Sequence, residues 1–470
     1  MTAIDDTPID WTHADPFLAG NYAPVHDELD VADLPVTGTI PAALQGAYLR
    51  NGANPAFEPM GAYHWFDGDG MIHGVYLDGG RATYRNRWVN TLGLDLERDA
   101  GANLFGGINN FRFPEGDLFE KMGGPFKNAA NTSIVRHAGK VLALWEGGHP
   151  YELSIDDLST VGMWNFDGKL VDAMTAHPHM DAATGEMLFF GYDQLNGLIR
   201  FYVADADGVI TRTEEIPLQA PVMMHDFQIT EHNAVFLDAP ALINIEGAMN
   251  GEPGVIWKPE NGTRIGLLPR GESGTEGLQW FEVDTMYVFH FMNSFEADGK
   301  IHVDACRFPR MAMPDADLDP AEAADMLPRL TRITLDPETG TSSMELLVEK
   351  PCEFPRVAPA DEGRAYRYGY APSSSGAIVT EFDSVMKHDH QTGETRYFAY
   401  GEGRVCGEAV FAPDPDGSAD DDGWLLNFVY DPQTNSSEFV IVDARDLTET
   451  ARVSLPRRVP FGFHGAWMPT

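Results

Sequence analysis

The residues best suited to chemistry in this chain are four histidines that interrupt apolar runs: His177 in Thr-Ala-His-Pro, His225 in Met-Met-His-Asp-Phe, His290 in Val-Phe-His-Phe-Met and His464 in Phe-Gly-Phe-His-Gly-Ala-Trp. A single imidazole in a single apolar segment is ordinarily a core histidine bonded to a backbone carbonyl. Four in matching surroundings point to a metal, because neutral imidazole is the commonest side-chain metal ligand. Gaps of 48, 65 and 174 residues exclude a local zinc knuckle. The four must lie on separate elements that meet only if the chain closes on itself, with the metal on the central axis.

The elements that would position them are mostly strands. Val141–Trp145, Met187–Phe190, Ala234–Leu237, Tyr287–Phe289 and Trp424–Tyr430 are short, rich in aromatic and β-branched residues, and bounded by Gly, Asp, Asn or Pro. Thr-Gly pairs before Glu186, Thr341 and Glu394, and Thr434-Asn435, supply the positive φ of tight turns and read as outer hairpins of repeated sheets. Gly46–Arg50 reads as a strand running into an Asn51-Gly52 turn, preceded by an extended arm over residues 1–45. Helices are expected only near Leu118–Met122 and Pro320–Met326. The fold class is all-β in one continuous domain over residues 1–470, since no linker or low-complexity tract divides the chain.

Composition narrows the function. With 72 acidic against 32 basic residues, a net charge of -40 argues against nucleic acid as a partner. Three scattered cysteines, Cys306, Cys352 and Cys406, read as reduced core thiols and not as a disulfide framework. The acidic N-terminus lacks the features of a signal peptide, and no window is apolar enough for a transmembrane helix, so a cytoplasmic location is expected.

Tyr63-His64-Trp65-Phe66-Asp67-Gly68-Asp69-Gly70-Met71-Ile72-His73-Gly74 reads alone as a hairpin turning at Asp-Gly-Asp-Gly. Together with the four histidine motifs, in this order, it resembles the carotenoid cleavage oxygenases, a family that also includes stilbene and phenylpropene cleaving enzymes. The likeness runs from about Tyr48 to Trp467. It implies a seven-bladed β-propeller with a few helices and loops capping one face, and one iron(II) per chain bound by His177, His225, His290 and His464. His179 is a rival for the first position, but the family motif places the ligand directly before proline, which favours His177. The implied reaction uses dioxygen as co-substrate to split a C=C bond into two carbonyl products.

Imidazole-only ligation leaves the charge of a divalent ion uncompensated, so carboxylates are needed behind the ligands. The resemblance assigns that place to Glu146, Glu353 and Glu408, serving His225, His290 and His464. It also matches Thr132 to a small β-branched side chain that crowds one open iron position. Stilbene and phenylpropene cleaving members carry a Tyr after a Leu-Phe-Gly stretch and a Lys before the first of these glutamates. Here Ile108 follows Leu104-Phe105-Gly106-Gly107, and Trp145 precedes Glu146. A buried phenol would lose its hydrogen bonds against Ile and Trp, at about 1–3 kcal/mol, whereas an apolar chain gains contact. The expected substrate is a carotenoid or apocarotenoid, with a phenolic alkene of the resveratrol, lignostilbene or isoeugenol type as the alternative. A propeller that binds a ligand without catalysis is the reading from another class. The apolar stretch from Asn103 to Phe126 suggests peripheral membrane contact near the tunnel mouth.

Overall fold

The computed structural model describes residues 15–112, 114, 116–122, 126–193, 196–311, 323, 325–375 and 381–470. Among the described residues, seven antiparallel sheets are the consecutive blades of a β-propeller, and an eighth is a two-stranded ribbon. Blade 1 contains Gly46–Arg50, Met71–Asp78 and Arg81–Trp88, and blade 2 runs from Ser133–His137 to Thr160–Met163. Blade 3 runs from His179–Met180 to Ile210–Pro217, blade 4 from Gln228–Ile229 to Gln279–Val283 and blade 5 from Tyr287–Ala297 to Thr341–Leu346. Blade 6 is Tyr368–Ser373, Ser384–Asp389 and Thr395–Ala399, and blade 7 runs from Val405–Cys406 to Thr448–Ser454.

Middle strands such as Met187–Asp193 and Gly423–Asp431 are apolar on both sides because each blade is sandwiched between two others, while outer strands such as Ile210–Pro217 alternate toward solvent. An apolar cluster fills each junction between neighbouring blades. Leu49 and Ile72 meet Ile134 and Val141 at the first, and Tyr48 and Tyr84 meet Phe428 and Phe439 at the last. The ring is stitched shut twice. Gly465–Pro469 pairs with Gly46–Arg50 in blade 1, and Val36–Gly38 from the N-terminal arm pairs with Thr448–Ser454 in blade 7.

Several local expectations need correction. Asn51-Gly52 is not a tight turn, because Gly46–Arg50 pairs with Leu77 back to His73, so the nearest paired residues, Arg50 and His73, are 23 positions apart. Asn51 is instead fully buried, and its amide donates to the carbonyls of Ala130 and Ser133 at 2.8 and 2.9 Å. The Asp67-Gly68-Asp69-Gly70 stretch is not a hairpin turn either. Trp65–Asp67 is a 3-10 turn capped by His64, and the glycines serve close packing, since a Cβ on Gly70 would overlap the Ala130 carbonyl. Gly185, Gly340, Gly393 and Asn435 do adopt φ of 74°, 71°, 74° and 49°. Their turns join different strand pairs from blade to blade, the first and second in blade 3 and the third and fourth in blade 5, so they are not equivalent outer hairpins. Leu118–Met122 is a helix, whereas most of 320–326 falls outside the described residues. The helix Leu92–Ala100, capped by Thr91 and ended by Gly101 at φ 67°, escaped the sequence reading. Cys306, Cys352 and Cys406 are buried free thiols, as expected.

Gly70→Ala is expected to destabilise the protein by about 1–3 kcal/mol through overpacking against backbone that cannot rotate away. A chemical denaturation midpoint equal to that of the wild type would contradict this packing.

Candidate metal centre

His177 precedes the first strand of blade 3, and His225 that of blade 4. His290 lies within the first strand of blade 5, at a bulge where the register with Lys300–Phe308 shifts between Val288 and Phe291. The extra residue turns the imidazole inward. His464 immediately precedes the closing strand Gly465–Pro469 and is fixed by its own backbone, its N–H donating to Thr132 O at 3.1 Å and its carbonyl accepting from Asn51 N at 3.0 Å. One nitrogen from each of the four rings lies within 4.8 Å of all the others, the only such cluster of possible metal ligands among the described residues. His179 is absent from it. Its ring contacts Glu362 and bonds Phe227 O at 2.7 Å, and although burial disfavours its charge, Glu362 and Asp226 raise it to about 10. It ties the start of blade 3 to the segment before blade 6 and to the one leading into blade 4.

Each of the three remaining blades presents a glutamate to the cluster. Glu146, after the second strand of blade 2, accepts from His225 Nδ1 at 2.6 Å. Glu353, before blade 6, accepts from His290 Nδ1 at 2.5 Å, and Glu408 in blade 7 accepts from His464 Nδ1 at 2.9 Å. These bonds fix the tautomers, leaving each Nε2 as the lone-pair donor. His177 has no glutamate; Thr175 Oγ1 accepts from its backbone N–H at 3.1 Å.

The donor set fits a buried divalent cation. Nε2 of His290 is buried without a hydrogen-bond partner, and Nε2 of His177 and His225 face each other at 3.0 Å. Burial holds His177 well below the usual imidazole range, His290 at about 3 and His464 at about 4, so these rings are neutral and ready to donate. Burial opposes charge on His225 too, but Glu146 outweighs it and raises that ring. Burial likewise pushes Glu353 up to about 8. Glu408 is held at about 2, because the Arg356 guanidinium 2.8 Å away and His464 overcome its desolvation. Two charges on a metal ion plus that of Arg356 would balance three glutamates. Arg356 is a member of this centre that sequence motifs did not reveal.

The cluster opens into a cavity of about 1050 Å³. Thr132, Trp145, Phe105 and Ile108 all line it, together with His225, His290, His464, Glu146 and Glu353. Phe105 is buried and Ile108 is 38% exposed, its N–H donating to Asp67 Oδ1 at 2.9 Å. Two parts of the wall were missed from sequence. Ile243, Ile245 and Val255 come from the ribbon Ala241–Ile243 and Val255–Trp257 with its short helix, and Lys127 contributes a cation beside Phe105. Loop composition alone carries no signal for which face a loop covers.

Two outcomes follow from this geometry. Glu353→Gln should keep the fold while weakening iron affinity or activity about 10–100-fold; iron titration giving the wild-type constant would show that Glu353 does not support His290. For metal-free protein, folded His177, His290 and His464 stay neutral below pH 6.5, where the unfolded chain protonates them, so stability falls as pH drops from about 6.5 toward 4. Glu353 acts oppositely, as its raised folded value makes the folded state bind the extra proton between about 8 and 4.5; the raised His225 and His179 act with it mainly above 6.5, where the unfolded imidazole loses its proton, so the three depressed imidazoles set the slope below that. Thermal melts of chelated protein should show this loss, and His290→Gln should flatten it.

The family model described as retinal pigment epithelial membrane protein, RPE65, matches residues 22–469. A carotenoid 9,10(9',10')-cleavage dioxygenase 1 of Arabidopsis thaliana is 34% identical, covering 96% of this chain and 89% of its own. Among solved structures, a Pseudomonas brassicacearum lignostilbene dioxygenase superposes with a TM-score of 0.90 at 28% identity, over 97% of this chain and 99% of that one. A Glu-to-Gln variant of Synechocystis apocarotenoid oxygenase gives 0.85 at 32% identity, over 96% and 98%. Variants of the same Synechocystis protein have been solved at a Thr and a Trp, and with that Glu these sites share the relative spacing of Thr132, Trp145 and Glu146. The propeller, the four-histidine centre and these matches together show that the chain belongs to the RPE65 and carotenoid cleavage oxygenase family, non-haem iron oxygenases that cleave conjugated alkenes.

Proposed function

We propose that this protein binds one iron(II) per chain through His177, His225, His290 and His464 and uses dioxygen to cleave a C=C bond of a carotenoid or apocarotenoid into two carbonyl products. The observation that carries the reading is the convergence of one functional side chain from every blade, four imidazoles and three carboxylates, at the floor of a largely apolar cavity. Iron bound there supplies the dioxygen-activating redox chemistry, and the remaining tasks fall to the protein.

Glu146, Glu353 and Glu408 orient the ligand rings and offset the ion's charge. Thr132, anchored through its hydroxyl to Asn131 Oδ1 at 2.9 Å, turns its methyl to narrow the open side of the centre. Trp145, Ile108 and Phe105 provide flat and branched apolar walls along which a conjugated chain lies, and they exclude water. Tyr192 in the wall directs its hydroxyl to the Met224 carbonyl, which leaves this phenol committed, and Tyr287, packed behind the wall on Phe289, bonds the Met223 carbonyl. Scission needs no protein acid or base, consistent with three cavity histidines that have only the roles of ligands.

The curated relative at 34% identity is named for carotenoid cleavage, and this supports the polyene reading. The fold-level likeness to a lignostilbene dioxygenase supports a phenolic alkene as the second reading. Phe119 and Phe126, 44% and 40% exposed on the stretch from Asn103 to Phe126, suit shallow, reversible contact with a membrane that holds such substrates; Phe113 lies outside the described residues.

Iron-loaded protein assayed side by side on an apocarotenal, resveratrol and isoeugenol, with products identified by mass, should cleave the apocarotenal best. Cleavage of a phenol with none of the apocarotenal overturns the substrate class, and iron far below one per chain after loading overturns the metal assignment.

A further inference from the structure

Lys127 is the unusual group in the cavity wall. Its side chain is buried, yet it contributes to the lining beside Phe105. Nζ lies 2.5 Å from Asp69 Oδ1 and 2.6 Å from Glu97 Oε2. The chain is built to let it through: Gly93 stands in the first turn of the helix Leu92–Ala100, and a Cβ there would sit 2.7 Å from Lys127 Cγ. Glu97 is itself fully buried and accepts from Leu104 N at 3.0 Å, which ties the helix to the cavity loop.

An ammonium has three N–H donors; among the described residues Glu97 accepts one, while Asp69 Oδ1 at 2.5 Å is an ion-pair contact that lacks hydrogen-bond geometry, so the donor set is not filled. A donor left over at a buried wall carries a desolvation cost unless an acceptor meets it. We infer that Lys127 anchors the oxygen-bearing end of the substrate, so that the chain acts on polyenes terminated by a neutral acceptor, an aldehyde, ketone or hydroxyl, in preference to pure hydrocarbons. The inference rests on the alkene-cleaving reading and refines its substrate class. Charge selects among acceptors. With both carboxylates ionised the Lys127, Asp69 and Glu97 set carries a net negative charge; burial raises Glu97 against the pull of Lys127, which brings the set toward neutrality. In neither condition is a carboxylate end favoured. A fixed anchor at one end of a rigid polyene also sets which double bond reaches the centre.

The test is binding to metal-free protein, read by quenching of tryptophan fluorescence, so that it does not depend on turnover. The probes are an apocarotenal, the corresponding acid and the hydrocarbon polyene of equal conjugated length. The protein should bind the aldehyde about 10-fold or more tighter than the hydrocarbon, the worth of one hydrogen bond to a charged donor, and the acid no better than the hydrocarbon. Because Lys127→Met alone strands two buried carboxylates, the informative variant combines it with Asp69→Asn and Glu97→Gln. In that variant the aldehyde-to-hydrocarbon ratio should collapse toward one, while Lys127→Arg should retain part of it. An unchanged ratio in the combined variant, or no aldehyde preference in the native protein, overturns the anchor. Failure of the iron-loaded protein to cleave any polyene, with the binding preference intact, would instead overturn the oxygenase reading.

Discussion

The structure depends on the pairing of its two ends. His464 has no place near His177, His225 and His290 until Gly465–Pro469 joins Gly46–Arg50, and the backbone bonds of His464 to Asn51 and Thr132 then lock it in register. One long-range strand pairing therefore completes both the apolar ring and the four-histidine cluster. The cost of such pairing is the entropy of closing a loop of over four hundred residues, offset by the apolar burial at every blade junction.

Closure also solves an electrostatic problem. Four imidazoles packed at van der Waals distance, with ring centroids 4.5 Å apart for His177 and His464, cannot all be protonated, and burial keeps three of them neutral. The glutamates are not equivalent. Glu408 shares its charge with Arg356 and stays ionised, whereas Glu353 holds its proton unless a cation is close. The ligand rings thus receive unequal support from behind, set by which blade carries a neighbouring arginine.

The four clustered histidines were legible in the sequence because each interrupts an apolar run, whereas Glu146, Glu353 and Glu408 were reached only through the family resemblance, since a lone strand glutamate reads as exposed. Strand cores such as Met187–Phe190 were legible because composition reports two-sided burial. Turns were legible where φ alone decides, as at Gly340. They failed at Asn51-Gly52 and Asp67-Gly68, where Asn51 bonds Ala130, Gly52 packs on Gly462 and Gly68 packs on Asn54, and packing overrides local turn preference. Lys127, Arg356 and the Ala241–Trp257 ribbon were invisible because their roles depend on which loop lies across which blade.

Seven blades supply seven different functional side chains, four nitrogen donors and three carboxylates. The order around the ring is uneven: three successive blades, 3 to 5, carry histidines, two successive blades, 6 and 7, carry glutamates, and blades 1 and 2 carry one of each. A propeller of this kind cannot grow or shrink by duplicating or losing a repeat, the usual route by which such rings diversify, since either change misaligns the ligand circle. Lineages built on it are left to vary their loops. The sheets repeat in plan, yet almost no internal repeat can be read in the sequence, as a ring with unlike inner side chains allows.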